Sequence, residues 1–342
     1  MEIMLTGAGG PEMLRVTAGD APEPGKGEVR VRVEASGVSF AEVQMLRQRY
    51  PRQPKFPFVP GYDLVGVVSS VGPGATGVRV GDRVAAMTRT GAWRTHVVVP
   101  ASRVVPVPSS LDPGVAAAVV MNGVTAWQMV HDVARVRPGQ TVLVHGAAGG
   151  VGTLLVQLAV LAGARVLGTA SAAKHDVVRA LGAEPIDYRA GSVPDAVRAL
   201  APAGVAAVFD HVGGSGLAAS YEVLADGGVL INYGSASTLH DEGHWLRPYV
   251  GTIRRFAGWW LARLAGRGRG RRARFYYVKA GPRFTTALTE VFDLVARGSL
   301  TPRIARRLPL EQAAEALRLL VDGTASGKVV LEASSGSSAS SA

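Results

Sequence analysis

The stretch Gly139-Gln140-Thr141-Val142-Leu143-Val144-His145-Gly146-Ala147-Ala148-Gly149-Gly150-Val151-Gly152 decides the fold. Thr141–His145 is a short apolar run, the composition of a strand buried on both faces. Ala147-Ala148-Gly149-Gly150-Val151-Gly152 follows, and a helix over Gly150–Ala162 opens inside it. A tight turn between strand and helix lets the backbone approach a pyrophosphate, and the helix N-terminus aims free N–H groups at that anion. The small residues Ala147, Gly149 and Gly152 satisfy this demand, with Gly150 and Val151 between them. Placed between strand and helix, the loop reads as a dinucleotide-binding turn.

Downstream, strands and helices alternate: Arg165–Thr169, Ala173–Leu181, Val205–Phe209, Ser215–Leu224, Gly228–Ile231. Such alternation with apolar strands predicts a doubly wound parallel sheet. Upstream, a helix is expected from about Pro113 to Ala134, with Asp112 as its cap. The first ~110 residues read instead as short strands, with Val29, Val31 and Val33 alternating with charged residues, separated by Gly/Pro turns. The chain is α/β overall: a small antiparallel β barrel followed by a Rossmann-type sheet. A helix at Thr285–Ala296, strands near Ile304–Leu308 and Lys328–Leu331, and a helix at Leu310–Val321 complete it. The tail 334–342 contains only Ser, Ala and Gly and is expected to be disordered.

The 342 residues are enough for two domains. With 47% hydrophobic and 18% charged residues, the chain has the apolar content to fold. The absence of cysteine removes disulfides, thiolate nucleophiles and cysteine zinc sites. Met1-Glu2-Ile3-Met4 shows no secretory leader, and the apolar run Leu154–Ala164 falls short of the ~18 residues of a membrane span. A cytoplasmic protein is expected.

The second strand selects the nucleotide. An NAD site places Asp or Glu at its end, about 20 residues on, for the ribose 2′-hydroxyl. No acid occurs between Thr153 and His175. Ser171 and Lys174 stand there instead, a hydroxyl and a cation suited to the 2′-phosphate of NADPH.

The net charge of +11 has one source. Residues 247–283 hold eleven cations and no acid, leaving 26 against 26 elsewhere. That excludes a generally basic nucleic-acid-binding surface. Within it, Val250–Ala265 reads as a helix with an apolar stripe of Val250, Ile253, Ala257, Trp260, Leu261 and Leu264, followed by a flexible basic loop, Gly266–Arg272. A lid or dimer-contact role is favoured over membrane-surface contact through 250–274. A serine-hydrolase reading fails, because Gly214-Ser215-Gly216 lacks the flanks of a nucleophile elbow.

Taken together, these residues resemble the medium-chain dehydrogenase/reductase superfamily in its zinc-free quinone oxidoreductase branch. The carriers are Gly139–Gly152 with Gln157, Gly66-Val67-Val68, Gly81-Asp82-Arg83-Val84, Ala35–Phe40, Pro60-Gly61-Tyr62-Asp63 and Gly327–Leu331. The basic segment with Trp259-Trp260 is more similar to the vesicle amine transport protein sub-branch. The resemblance implies a GroES-like catalytic domain over 1–115 and 275–333, a Rossmann NADP-binding domain over 116–274, and a homodimer.

It further implies an NADPH-dependent reductase of quinones or α,β-unsaturated carbonyls. An enoyl-thioester reductase is the alternative enzyme, and a membrane-associated or partner-binding protein that holds NADPH without turnover is the alternative of another class. Zinc relatives carry Cys near 36–37 and His-Glu after Gly61. Ser36-Gly37 and Tyr62-Asp63 stand here, so no metal is expected. Ser39 and Gln44 replace the branch's usual Asn and aromatic hydroxyl. Tyr50 matches a cleft tyrosine, and Tyr188 one that packs on the adenosine phosphate. Tyr233 and Gly234 join the cofactor set. Catalytic candidates are Tyr50, Tyr62, Ser39, Asn122 and Thr125, groups able to hydrogen-bond a carbonyl that gains negative charge.

Overall fold

The computed structural model describes residues 1–51, 53–238 and 247–333. The tail 334–342, expected to be disordered, lies outside the described residues. The chain divides into two compact units, Met1–Val124 with the chain from Lys279 onward, and Thr125–Val278. The divisions fall nine and four residues beyond the 115/116 and 274/275 expected from the sequence.

In the first unit the strand Glu28–Val38 organises a seven-stranded, mainly antiparallel sheet. One edge pairs with Asp63–Val71. The other pairs with His96–Pro100 along its first half and with Lys328–Glu332 along its second. Val29, Val31 and Val33 enter the core with Leu64, Val68, Val84 and Val97, while Arg32 between them is exposed. This is the period-two alternation expected of the strand. The outermost pair, Ile304–Pro309 with Lys328–Glu332, is parallel.

The second unit is an all-parallel sheet of six strands in the spatial order Ala183–Asp187, Arg165–Ala170, Thr141–Val144, Val205–Asp210, Leu224–Asn232, Arg272–Phe275. The chain starts in the middle, winds outward, returns to Val205 and winds outward again. The switch point therefore lies between Thr141–Val144 and Val205–Asp210, where such sheets bind ligands beyond their carboxyl ends. Val142, Leu143 and Val144 are fully buried, as a central strand requires.

Three local readings gain detail. The helix beginning at Pro113 is α-helical to Gln128 and widens into a π turn over Met129–Ala134, closed by Arg135 at φ 53. The basic loop is shorter than read, because Arg272–Phe275 pairs with Leu224–Asn232 as the sheet's edge. The helix Arg247–Leu264 carries a second apolar side that the stripe did not include. Phe256 and Trp259 pack against the sheet core, whereas Val250, Ile253, Trp260, Leu261 and Leu264 are exposed. Aromatic area under the helix outweighs the longer aliphatic stripe. No helix among the described residues is long and apolar enough to cross a membrane.

Candidate functional site

The turn after Thr141–Val144 is shaped by close approach. Gly146 adopts φ +64, and a β-carbon there would lie 2.4 Å from His211 Cε1. A β-carbon on Gly152 would lie 2.1 Å from the Gly146 carbonyl oxygen. No side chain larger than hydrogen fits either position, so the helix Gly152–Leu161 begins directly against the turn. Its first turn contains no acid. The positive end of the helix dipole and its N–H groups are thus left for an external anion. Ala147 is fully buried with its N–H on the Thr169 carbonyl at 2.9 Å. The left-handed position belongs to Gly146, so alanine is tolerated where a first glycine is usual.

A chain of hydrogen bonds fixes the loops around this turn. Gly146 N–H donates to Thr169 Oγ1 at 3.1 Å, and His145 Nδ1 lies 3.2 Å from the same oxygen. His145 Nε2 lies 3.0 Å from Ser220 Oγ, which donates to Asp210 Oδ2 at 2.7 Å. Asp210 Oδ1 accepts from Gly213 N–H at 2.8 Å. With Ser220 donating to the carboxylate, His145 carries its proton on Nε2. Burial holds the imidazole below its usual range, against the pull of Asp210. Tyr233 N–H bonds the Asp210 carbonyl at 2.9 Å. A β-carbon on Gly234 would lie 2.7 Å from the His211 carbonyl oxygen.

Two cations meet beyond the neighbouring strands. Ser171 and Lys174 follow Arg165–Ala170, and Tyr188 and Arg189 follow its sheet partner Ala183–Asp187. Lys174 is held below its ordinary range by burial and then by the Arg189 charge. The Arg189 guanidinium carbon lies 5.4 Å from the centre of the half-exposed Tyr188 ring. Like charges on the loops after adjacent strands make a receptor for an anion. The turn and these cations together fit a dinucleotide bearing an additional phosphate. The sequence names Lys174 and Tyr188. It misses Arg189, because the pairing of strands brings that residue to the site.

The first unit contains a buried polar cluster. Ser39 caps the helix Phe40–Leu46 in a capping box with Glu42. Ser39 N–H and Oγ donate to Glu42 Oε2 at 2.9 and 2.5 Å. Gly37 N–H donates to Asp63 Oδ1 at 2.7 Å, and Lys328 Nζ to Asn122 Oδ1 at 3.4 Å. Burial pushes the Glu42 carboxyl up to about 7. The Ser39 hydroxyl and Lys328 pull it down, and Asp63 pushes it up. Asp63 is also raised, chiefly by burial. Glu42 Oε1 and Asp63 Oδ2 have no hydrogen-bond partner among the described residues. Beside this cluster in sequence, the Tyr50 and Tyr62 hydroxyls lie 2.7 Å apart with their rings edge to face.

The candidates thus separate. Ser39 and Asn122 belong to the ionic cluster with Glu42, Asp63 and Lys328. Tyr50 and Tyr62 form their own pair. Thr125 belongs to the second unit, near the Tyr276 phenol, which donates to Gln128 Oε1 at 2.7 Å. The sequence analysis omits Glu42 and Lys328. The Ser-x-x-Glu spacing of a capping box was the legible signal for Glu42, and nothing local marks Lys328. No three His, Asp or Glu side chains among the described residues are arranged to hold a metal. At the place where zinc relatives carry cysteine, a β-carbon on Gly37 would lie 2.6 Å from Lys328 Nζ. An ammonium in that space does not fit a zinc centre.

Comparison with known proteins places this arrangement. Residues 25–109 match the family described as Alcohol dehydrogenase GroES-like domain, and residues 181–331 that described as Zinc-binding dehydrogenase. The chain is 34% identical to a Synaptic vesicle membrane protein VAT-1 homolog of Rattus norvegicus, over 96% of this chain and 83% of that protein. A mycobacterial protein solved in complex with NADPH superposes with a TM-score of 0.83 at 32% identity, covering 97% of this chain and 99% of that one. Escherichia coli quinone oxidoreductase complexed with NADPH superposes with a TM-score of 0.85 at 25% identity, with the same coverage. On sequence, domain content and fold alike, the chain belongs to the medium-chain dehydrogenase/reductase superfamily.

Proposed function

We propose that this protein is a zinc-independent oxidoreductase that uses NADPH to reduce quinones or α,β-unsaturated carbonyls. The observation that carries the reading is the pairing of a Gly146–Gly152 turn with Lys174 and Arg189 where an NAD site would place an acid. In this reading the second unit is the NADP-binding domain and the first the GroES-like catalytic domain.

Bound NADPH supplies a hydride, and the chain's own groups do the rest. Gly149, Gly150, Val151 and Gly152 present backbone N–H groups to the pyrophosphate, and Ala147 keeps the turn close. Lys174 and Arg189 hold the 2′-phosphate, with Ser171 as a hydroxyl donor and Tyr188 as a flat surface for the adenosine. Tyr233 and Gly234 border the same loops. Of the tyrosine pair, one hydroxyl donates to the other and is thereby fixed. Tyr50, slightly the more exposed, is the proposed donor to a substrate carbonyl oxygen, and Tyr62 positions it. A donor aimed at a developing oxyanion contributes a few kcal/mol, on the order of 3. Ser39 and Asn122 hold the polar cluster behind this segment, and Thr125 orders the helix through Tyr276. Lys328 supplies a fixed cation where zinc relatives hold their metal, which supports zinc-independence.

The working form in this reading is a cytoplasmic homodimer. The exposed stripe of Arg247–Leu264 serves contact between subunits or covers substrate. Co-sedimentation with anionic vesicles at low salt and release at high salt would reassign it to a lipid surface.

The test is turnover. Purified protein with NADPH should oxidise the cofactor on addition of benzoquinones or small enones, read as loss of the reduced nicotinamide's absorbance. Oxidation with enoyl thioesters alone would move the substrate class. Tight NADPH binding with no oxidation by any acceptor would overturn the enzymatic reading.

A further inference from the structure

A cavity of about 590 Å³ lies along the edge strand Arg272–Phe275 of the parallel sheet, and no residue of the cofactor turn lines it. Its lining includes Asp132, Arg135, Arg137, Gln140, Arg272 and Arg274. Gln140 immediately precedes the strand Thr141–Val144, and Val229, Arg274 and Phe275 also line the cavity, so it runs along the edge strand from the side where the central strand begins. Ala273 packs with Phe256 and Trp259 under the helix Arg247–Leu264. Side chains alternate along a strand, so Arg272 and Arg274 project to the other face, roughly 6.6 Å apart. Arg135 and Arg137 come to the same cavity from the loop that follows the π turn.

Four arginines and one carboxylate leave the cavity with an excess of three positive charges. Among the described residues none of the four guanidiniums is in an ion pair. Arg135 also occupies the left-handed region, φ 53 and ψ 53, which residues other than glycine disfavour. Charges guarding an edge strand against pairing would account for Arg272 and Arg274. They would not account for two more arginines converging from another segment.

We propose that this cavity binds a soluble organic diphosphate, at a site separate from the cofactor turn. Guanidinium forks bind phosphoryl oxygens in pairs, and two arginines on alternate strand positions match two linked phosphoryl groups. The volume lies in the range of small-molecule sites, roughly 300–1,000 Å³, so the ligand extends beyond its phosphates.

The experiment is a calorimetric titration of inorganic pyrophosphate, then of methylene diphosphonate esters, into protein holding one equivalent of NADPH at constant ionic strength. One equivalent fills the cofactor turn and leaves the cavity open, and constant ionic strength removes general screening effects. One equivalent should bind. The double variant Arg135→Gln with Arg272→Gln should weaken binding at least tenfold. Arg254→Gln with Arg267→Gln, which removes equal charge outside the cavity, should change it less than twofold. Equal weakening in both variants, or no binding to the wild type, would overturn the proposal.

A second measurement needs no variant. Phenylglyoxal labelling of the wild type holding one equivalent of NADPH should be slowed by pyrophosphate at Arg135, Arg137, Arg272 and Arg274 and unchanged at Arg254 and Arg267. Uniform slowing, or none, would contradict it. Failure of NADPH to saturate the protein in a control titration would instead count against the cofactor reading, which keeps the two outcomes distinct.

Discussion

Lys174 and Glu42 show what single side chains decide. The Lys174 ammonium is partly desolvated and faces Arg189, so it gains most from an anion that neutralises both. Lys174→Ala should weaken NADPH by about 1.5–3 kcal/mol, the scale of a hydrogen bond to a charged group, and leave NADH nearly unchanged. Fluorescence titration of both cofactors checks this, and equal losses would remove Lys174 from the 2′-phosphate.

Glu42 is a carboxyl whose proton is held more tightly folded than unfolded, from the ordinary 4.5 up to about 7. Between those values folding takes up a proton, so this group's contribution to stability falls as pH rises through the window and is constant outside it. Denaturant unfolding at about pH 5 and pH 8 should show Glu42→Gln relieving a wild-type loss on the order of 3 kcal/mol. Parallel pH profiles for the two proteins would contradict the assignment.

Among the elements, the helix Arg247–Leu264 divides its apolar residues between two sides. The stripe that the sequence marks is left exposed, and the sheet takes the other side, where Phe256 packs at a tilt between Trp259 and Phe275 at centroid distances of 5.6 and 4.3 Å. Phe256→Ala should therefore cost roughly 2–4 kcal/mol in chemical denaturation. Trp260→Ala, at a residue 58% exposed, should cost within about 0.5 kcal/mol. Reversed costs would mean that the stripe, and not the aromatic side, faces the sheet.

The strands that the sequence hides are the two sheet edges. Ala183–Asp187 carries Pro185, tolerated because an edge strand has ladder groups to spare. Arg272–Phe275 hides in a run of arginines, and only its parallel register with Val229–Asn232 makes it a strand. The central strand and the phosphate turn were legible because burial on both faces and close approach leave few alternatives at those positions. Arg189 and Lys328 were not, since each reaches its site through a partner distant in sequence.

At the scale of the whole molecule, a chain without cysteine keeps a fold whose relatives are described as zinc-binding. Lys328 stands 2.6 Å from where a side chain on residue 37 would begin, and its charge acts on the buried carboxyls of Glu42 and Asp63. Removing one partner of such a buried cluster costs more than the cluster adds, because it strands an uncompensated charge. Exhaustive dialysis against chelator should leave activity and unfolding midpoint unchanged. Stoichiometric zinc in active protein would contradict that.

The central claim is that the cation pair makes this an NADPH enzyme, and the ratio of kcat/KM for NADPH over NADH with one quinone acceptor tests it most directly. The wild type should favour NADPH by at least about tenfold, each tenfold being about 1.4 kcal/mol. Lys174→Ala with Arg189→Ala should bring the ratio near unity while the acceptor KM stays within about twofold. An unchanged ratio in the double variant, or a wild type that prefers NADH, would contradict the account.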